Sequence, residues 1–383
     1  MKRVYLDYGA GETNPSSIHK EGVEAKLTLF KARKSIAEIL NCRAHEVYFM
    51  PNSTYSVATA LTVADKIITS NIEHIAVLEN IKKYNHSILK VESDGILKPD
   101  VLRQFLKNIN IEETRKNKIL VTIMYANNEI GTIQRSKEYG RIIDQHNREH
   151  DLDDSSRVLY HIDASQASRY LDLDVYKLKC DMLTLNSSKC GGTAGIALLY
   201  IKENIKQYVK PLISGGDQER GMYSGTENVA GAVGFADALI YAQSIKVQES
   251  DRLLKLRNIF IDKYIIAMRK SVRNADINLV YGSIKDGERL PNNINIRVPN
   301  MLSDEMVIRL DAVGFAVSHR SACATFGDDN AEGYVLYAIG ASKEESNENI
   351  RITMGPDTTS EDMDNLLKAI LEIYVKYSKH VII

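Results

Sequence analysis

Apolar residues recur every three or four positions, with charges between them, across residues 17–40 (SIHKEGVEAKLTLFKARKSIAEIL), which predicts an amphipathic helix. The period then changes. EVYFM is a short unbroken apolar run and reads as a strand. PNST follows as a turn into a helix over YSVATALTVA, with Ser53 or Thr54 near its N-cap. KIITS, SILKVES, KILVTIM, RVLYHID and DMLTL are further strand candidates, most of them separated by helical or turn segments. Such alternation predicts an α/β fold with a mainly parallel sheet covered by helices on both faces.

A long helical pattern runs from about 226 to 270. INIRV, the amphipathic DEMVIRLDAV, a short FAVS, ENIRITM and a closing helix EDMDNLLKAILEIYVKYSK come after it, so the tail has α+β character. The expected division is a large domain over residues 14–265 and a smaller α+β domain made of residues 1–13 and 266–383. No internal repeat or low-complexity segment interrupts the pattern.

Composition narrows the function classes. A chain of 383 residues with a net charge of −1 gives no electrostatic case for binding nucleic acid directly. No apolar run approaches the roughly 18 residues of a membrane span, and MKRVYLDYG lacks the apolar core of a signal peptide, so a cytoplasmic location is expected. Four cysteines, Cys42, Cys180, Cys190 and Cys323, form no CxxC pair and no Cys/His cluster at metal-ligand spacing. At that density a disulfide framework is not expected, and neither is a metal site.

The chemistry gathers at strand ends. In open parallel sheets, ligands bind where the carboxyl ends of strands lead into loops and helices. Thr54 follows VYFM, Asn128 follows LVTIMY, Asp163 follows VLYHI, and Lys189 follows MLTL in DMLTLNSSKCGGTAG. Any one of these alone reads better as a cap or turn residue; four at equivalent places form a convergent rim. A lysine amine together with a carboxylate is what pyridoxal phosphate requires: the amine bonds to the aldehyde and the acid keeps the pyridine nitrogen protonated. The hydroxyls of Ser53 and Thr54 at a helix start suit a phosphate. His74, in NIEHIAVL, is placed to stack on a ring, and Gln166, three residues past Asp163, to reach a ring hydroxyl.

VYLDYGAG, NPSSIHKEG, IEHIAVLE, YANNEIGTIQ, HIDASQA, SSKCGG, GGDQERGMYSGTENVAG, LPNNINI, SHRSACATFG and ENIRITMG run in order from residue 4 to about 359. With these segments the chain resembles the cysteine desulfurases, fold type I pyridoxal-phosphate enzymes of the class V aminotransferase group. The resemblance implies a seven-stranded-type sheet in the large domain and conversion of L-cysteine to L-alanine. It further implies that Lys189 binds the cofactor and moves protons, that Asp163 pairs with the ring nitrogen, that His74 stacks on the ring and that Gln166 meets the ring hydroxyl. Ser53, Thr54 and Ser188 fall where phosphate contacts lie. Thr226 matches a threonine that reaches the phosphate from the neighbouring subunit, which implies a homodimer. Arg351, with Asn128, would hold the substrate carboxylate, for which a guanidinium fork is suited.

Cys323 would be the nucleophile, taking the substrate sulfur as a persulfide. A thiolate reacts where a thiol barely does, and His319 and Arg320 beside it favour the ionised form. The long stretch from Cys323 to Gly340 resembles the long-loop subgroup, which hands sulfur to a protein acceptor such as an iron–sulfur scaffold or a thiolation enzyme. Cys42 and Cys180 read as structural, and Cys190, next to Lys189, is left open. Other enzymes of the same fold (an aminotransferase or a selenocysteine lyase) and a catalytically impaired partner subunit are the alternatives.

The sequence departs from the family in four places. Only Glu12 and Thr13 separate LDYGAG from NPSS, where a longer segment is usual. Ser188 stands for a usual histidine and Asn186 for a usual serine. Tyr223 replaces a usual arginine, which removes a cation near the phosphate. REHDLDDSSR is additional and reads as an exposed polar loop.

Overall fold

In the computed structural model, which describes residues 3–11, 13–271, 277–319 and 333–378, the apolar periods become the elements of a three-layer fold. Helix α1 (Lys20–Leu40) leads into β1 (Val47–Met50) and α2 (Ser53–Leu61). Then come β2 (Lys66–Ser70), α3 (Ile75–Ile81), β3 (Asn85–Leu89), α4 (Pro99–Lys107), α5 (Ile111–Lys116) and β4 (Ile119–Met124). The chain continues through α6 (Ser136–Glu149), β5 (Leu159–Asp163), α7 (Val175–Leu178), β6 (Met182–Asn186), α8 (Ser187–Cys190) and β7 (Ala197–Ile201). Two long helices, α9 (Val229–Ser244) and α10 (Lys246–Ser271), precede β8 (Asn293–Arg297), α11 (Ser303–Asp311), α12 (Tyr334–Ala338), α13 (Lys343–Ser346), β9 (Asn349–Thr353) and α14 (Ser360–Tyr377). Among the described residues, no helix is long and apolar enough to cross a membrane.

Seven strands form one sheet in the order β1-β7-β6-β5-β4-β2-β3. The run β3, β2, β4, β5, β6 is parallel throughout, and β7 is antiparallel to both β6 and β1. Strands β1, β4, β5 and β7 are buried throughout because both faces are covered, whereas the edge strand β3 is mostly exposed. Phe49, Ile68, Val121, Ile162 and Leu198 face one apolar layer with α1, α4, α6 and α9; Tyr48, Met50, Ile67, Leu120 and Leu199 face the other with α2 and α3. A separate apolar cluster joins α10, α11 and α14 to the antiparallel pair β8 and β9.

Three expectations need correcting. Strand β7 is missing from the predicted set: its run follows directly on a glycine-rich turn, and an antiparallel return needs no intervening helix to announce it. FAVS forms no strand; it contributes a single bridge, Ser318 to Arg351. The N-cap of α2 is Asn52, whose Oδ1 accepts the Tyr55 N–H at 2.8 Å, so Ser53 and Thr54 occupy the first turn instead.

Strand β1 is a sheet edge, and its outward backbone groups are taken by side chains rather than left for another strand. Buried Arg33 of α1 donates to the Val47 carbonyl at 2.7 Å and meets both oxygens of Glu219 at 2.6 Å. Glu219 in turn accepts the Phe49 N–H at 2.9 Å. Glu219 and Arg220 both lie in the left-handed region (φ 47° and 55°), and Arg220 also donates to Val47 at 2.7 Å. The turn before Thr226 is thereby tied to the sheet. Removing one partner of such a buried pair strands the other charge, so Glu219→Ala should lower unfolding free energy by about 3–5 kcal/mol. Urea denaturation monitored by circular dichroism checks this, and a loss under about 1 kcal/mol would show that the pair is not needed.

Candidate active site

The register sets the geometry of the site. Met124, Asp163 and Thr184 are paired neighbours across β4, β5 and β6; β4 and β5 end at this level and β6 runs two residues further, to Asn186. Their following loops enclose a cavity of about 400 Å³. Ser53, His74, Asn128, Asp163, Gln166, Ser188, Lys189 and Arg351 all line it. The structure brings these eight residues together. Thr54 and Thr226 are exposed and do not line the cavity of their own chain. Cys323 lies outside the described residues, as does Arg320.

Asp163 is 7% exposed, and its Oδ1 accepts the Ser165 N–H at 3.0 Å. His74 caps α3: its Nδ1 accepts the Ala76 N–H at 3.1 Å, which leaves Nε2 to carry the proton of the neutral ring. Burial lowers the pKa of His74, with nearby Asp163 acting the other way and Lys189 adding to the decrease. The two asparagines of YANNEIG divide their work. Asn127 is fully buried; its Oδ1 accepts the N–H groups of Glu129 and Ile130, and its Nδ2 donates to Ile72. That local turn aims Asn128 into the cavity, where its buried Oδ1 has no hydrogen-bond partner among the described residues.

Arg351 reaches the site from β9. One Nη donates to the Asn128 carbonyl at 3.3 Å and the other to Ser318 Oγ at 2.9 Å, while the buried Nε has no partner among the described residues. Burial lowers its pKa, against the favourable field of Glu129. Gly131 (φ +69°) closes the turn where any Cβ would lie 2.5 Å from Asn293 Oδ1, so this position needs glycine. Sequence reasoning missed Arg169, Tyr170 and Asn292, which also line the cavity. Arg169 stands three residues after Gln166 in a turn whose direction no periodicity reveals.

Cys190 is resolved by its surroundings. It is 2% exposed, its thiol donates to the Ser187 carbonyl at 3.1 Å, and burial pushes its pKa up to about 11. A thiol so held is inert at neutral pH. Burial also raises the pKa of Cys42, to about 12, and of Cys180. His319 has its Nε2 3.0 Å from the Asp304 carboxylate. Tyr223 packs edge-on against Tyr55 of α2, ring centres 5.2 Å apart, so that position supplies an aromatic contact. Within REHDLDDSSR the exposed-loop expectation fails for Arg157, whose mostly buried guanidinium pairs with Asp181 at 2.6 Å.

Residues 1–366 match the aminotransferase class-V family. A cysteine desulfurase IscS of Dictyoglomus turgidum is 34% identical over 98% of this chain and 96% of its own length. One from Methanosarcina thermophila is 34% identical over 95% of this chain and 85% of its own length. Among solved structures, a NifS-like protein superposes with a TM-score of 0.81 at 29% identity, covering 97% of this chain and 94% of that one. The chain therefore belongs to the class-V aminotransferases, and among them to the pyridoxal-phosphate-dependent cysteine desulfurases of fold type I.

Beneath the site lies an acid that the sequence did not single out. Glu73, just before His74, is fully buried, with Ser70 Oγ at 2.6 Å from one oxygen and the Met124 N–H donating to the other at 2.8 Å. It ties the His74 loop to the end of β4. Burial pushes its pKa up to about 8. The folded state thus keeps a proton that the unfolded chain releases near the ordinary carboxyl value, so this group's contribution is full at acid pH and is lost as pH rises toward 8. Glu73→Gln can keep both hydrogen bonds without titrating. The variant should match the parent chain in urea midpoint near pH 4 and exceed it increasingly from pH 5 up to about 8, where the difference levels off. Parallel curves over that range would refute the buried proton.

Proposed function

We propose that this chain converts L-cysteine to L-alanine with pyridoxal phosphate in the cavity described above, passing the sulfur through a persulfide on Cys323. The observation that carries this is the joint presence, in one cavity, of the Lys189 amine, the buried Asp163 carboxylate and the Arg351 guanidinium. The buried atoms Asn128 Oδ1, Ser165 Oγ and Arg351 Nε, without a hydrogen-bond partner among the described residues, support a polar occupant. When bound, the cofactor supplies an electron sink for bonds at the substrate's α-carbon.

Lys189 Nζ would hold the cofactor and then carry protons to and from the substrate carbon. Asp163 would keep the ring nitrogen protonated, while His74 lies against the ring and Gln166 meets its hydroxyl. Ser53 and the first N–H groups of α2 would meet the phosphate, with Ser188 beside them. Arg351 and Asn128 would clamp the substrate carboxylate. The Cys323 thiolate then attacks the substrate sulfur; the sulfur–sulfur bond forms as the carbon–sulfur bond breaks. The electron pair of that broken bond stays with the carbon fragment, which takes up a proton and leaves as alanine.

A homodimer is part of the same proposal, in which exposed Thr226 serves the neighbouring subunit. Exposed Val23, Leu27 and Phe30 along one side of α1, and Ile213 before the Thr226 segment, support a covered face of this kind. The acceptor of the sulfur would be a protein, an iron–sulfur scaffold or a thiolation enzyme, and the place of action the cytoplasm. The division into 14–265 against 1–13 with 266–383 is likewise a proposal; the separate apolar cluster of α11, α14, β8 and β9 supports a second unit, and α10 packs into that cluster from the large-domain side of the boundary.

Purified protein with pyridoxal phosphate, L-cysteine and a thiol reductant should release alanine and sulfide in equal amounts. Cys323→Ala should abolish both. Arg351→Lys, which exchanges a fork for a point charge, should raise KM for cysteine by about tenfold to a hundredfold. Unchanged turnover in Cys323→Ala would overturn the assignment of the nucleophile, and absence of alanine from the unsubstituted chain would overturn the activity for this protein.

A further inference from the structure

We propose that Asn186 is a positioning residue for the cofactor phosphate: it turns Ser53 into a donor facing the cavity and withdraws Ser188 from that role. The proposal rests on the placement of pyridoxal phosphate given above. Asn186 ends β6 and caps α8. Its Oδ1 lies 3.1 Å from the Ser188 backbone N and 2.9 Å from Ser188 Oγ, and its Nδ2 lies 3.0 Å from Ser53 Oγ.

The amide orientation follows from donor chemistry. A backbone N–H can only donate, so the atom facing Ser188 N must be the oxygen, and the nitrogen must face Ser53. Two consequences follow for the hydroxyls. Ser53 Oγ accepts from Nδ2, so its own proton is free to point into the cavity. Ser188 spends both its N–H and its O–H on Oδ1, so only oxygen lone pairs remain to face a ligand.

A phosphate dianion needs donors, and lone pairs repel it. Ser53 also opens α2, a nine-residue helix whose first N–H groups have no intrahelical acceptor. The Tyr55 N–H is already taken by Asn52. The donor set is therefore the Ser53 hydroxyl with the N–H groups of Ser53 and Thr54, held in position by an amide that spans from β6 to α2. Ser188 acts as the far anchor of that amide.

The test compares pyridoxal phosphate with pyridoxal, which lacks the phosphate, by equilibrium titration of the full-length chain followed by the visible absorbance of bound cofactor. The hemiacetal that free pyridoxal forms is common to every variant and cancels in the comparison. The unsubstituted chain should prefer the phosphorylated form strongly. Asn186→Leu and Ser53→Ala should each reduce that preference about tenfold or more, while Ser188→Ala changes it by no more than about threefold. A merely structural role for Asn186 would weaken both ligands equally and leave the preference intact, which would overturn the proposal. Should Asn186→Leu not fold, the serine pair still decides: equal losses in Ser53→Ala and Ser188→Ala would refute the asymmetry. No preference in the unsubstituted chain would overturn the cofactor placement itself, and the role of Asn186 with it.

Discussion

At the end of the central strand β5, the carboxylate of Asp163 is nearly out of water and receives a single backbone N–H among the described residues. Burying a charge with so few hydrogen bonds is costly unless an opposite charge arrives. In the proposed function, a protonated heteroaromatic nitrogen would supply that charge in a flat group. The sheet makes the arrangement rigid: Asp163 is paired on one side with Met124 and on the other with Thr184, so it cannot move without breaking a three-strand register. His161, two residues earlier on the same face, adds to this. Its ring bridges Thr122 Oγ1 at 2.8 Å and Thr184 Oγ1 at 3.0 Å, and Thr184 meets Ser56 of α2 at 2.8 Å. One buried polar chain thus fixes the start of α2 relative to the acid.

The second constraint is how Arg351 comes to lie over that floor. It belongs to the β8–β9 pair, whose apolar cluster is distinct from the layers around the large sheet. Beside apolar contacts at Ile133 and Leu171, the two meet through hydrogen bonds whose acceptors are backbone carbonyls. Asn293 and Asn295 donate to the Glu129 carbonyl at 3.3 and 3.2 Å, and buried Arg289 donates to the Ile130 carbonyl at 3.0 Å. Ile133 donates to Glu288 at 2.9 Å. Each bond grips the turn that Asn127 organises, so the side chain of Asn128 and the guanidinium of Arg351 are positioned by the same short stretch of chain. Carbonyl acceptors suit this purpose because they fix direction without adding charge beside a site that must bind a zwitterionic amino acid.

What the sequence revealed, and what it hid, divides along physical lines. Strand ends were legible because a parallel sheet covered on both faces writes each strand as an apolar run, and the first polar residue after the run marks its carboxyl end. Asp163 is found that way, and Lys189 follows three residues after Asn186, the polar residue that follows DMLTL. Strand β7 escaped because a tight antiparallel return carries no helix to separate it from its neighbour. Asn52 escaped as the cap of α2 because Asn, Ser and Thr stand in a row and all are good caps; only the backbone angles choose among them. Arg169 and Glu73 were invisible for a deeper reason. A buried acid and an arginine entering a cavity are set by which way a loop turns, and that depends on partners far away in the chain.

The same distinction explains the phosphate end. Read as a string, the replacement of a usual serine and a usual histidine by Asn186 and Ser188 looks like the loss of two ligands. In three dimensions the amide of Asn186 is long enough to cross from β6 to Ser53, which a serine hydroxyl is not, and in crossing it consumes the donors of Ser188. The pair of changes removes a ring that can carry charge and substitutes a neutral brace. Tyr223, packed against Tyr55, continues the trend by placing an aromatic ring beside α2. The first N–H groups and aligned peptide dipoles of α2 contribute positive potential at this end. Such a field falls off within a turn of the helix, so it acts only on a group seated at the N-terminus. A binding end made this way depends on the placement of that helix, which the brace from Asn186 and the bond between Ser56 and Thr184 together hold against the sheet.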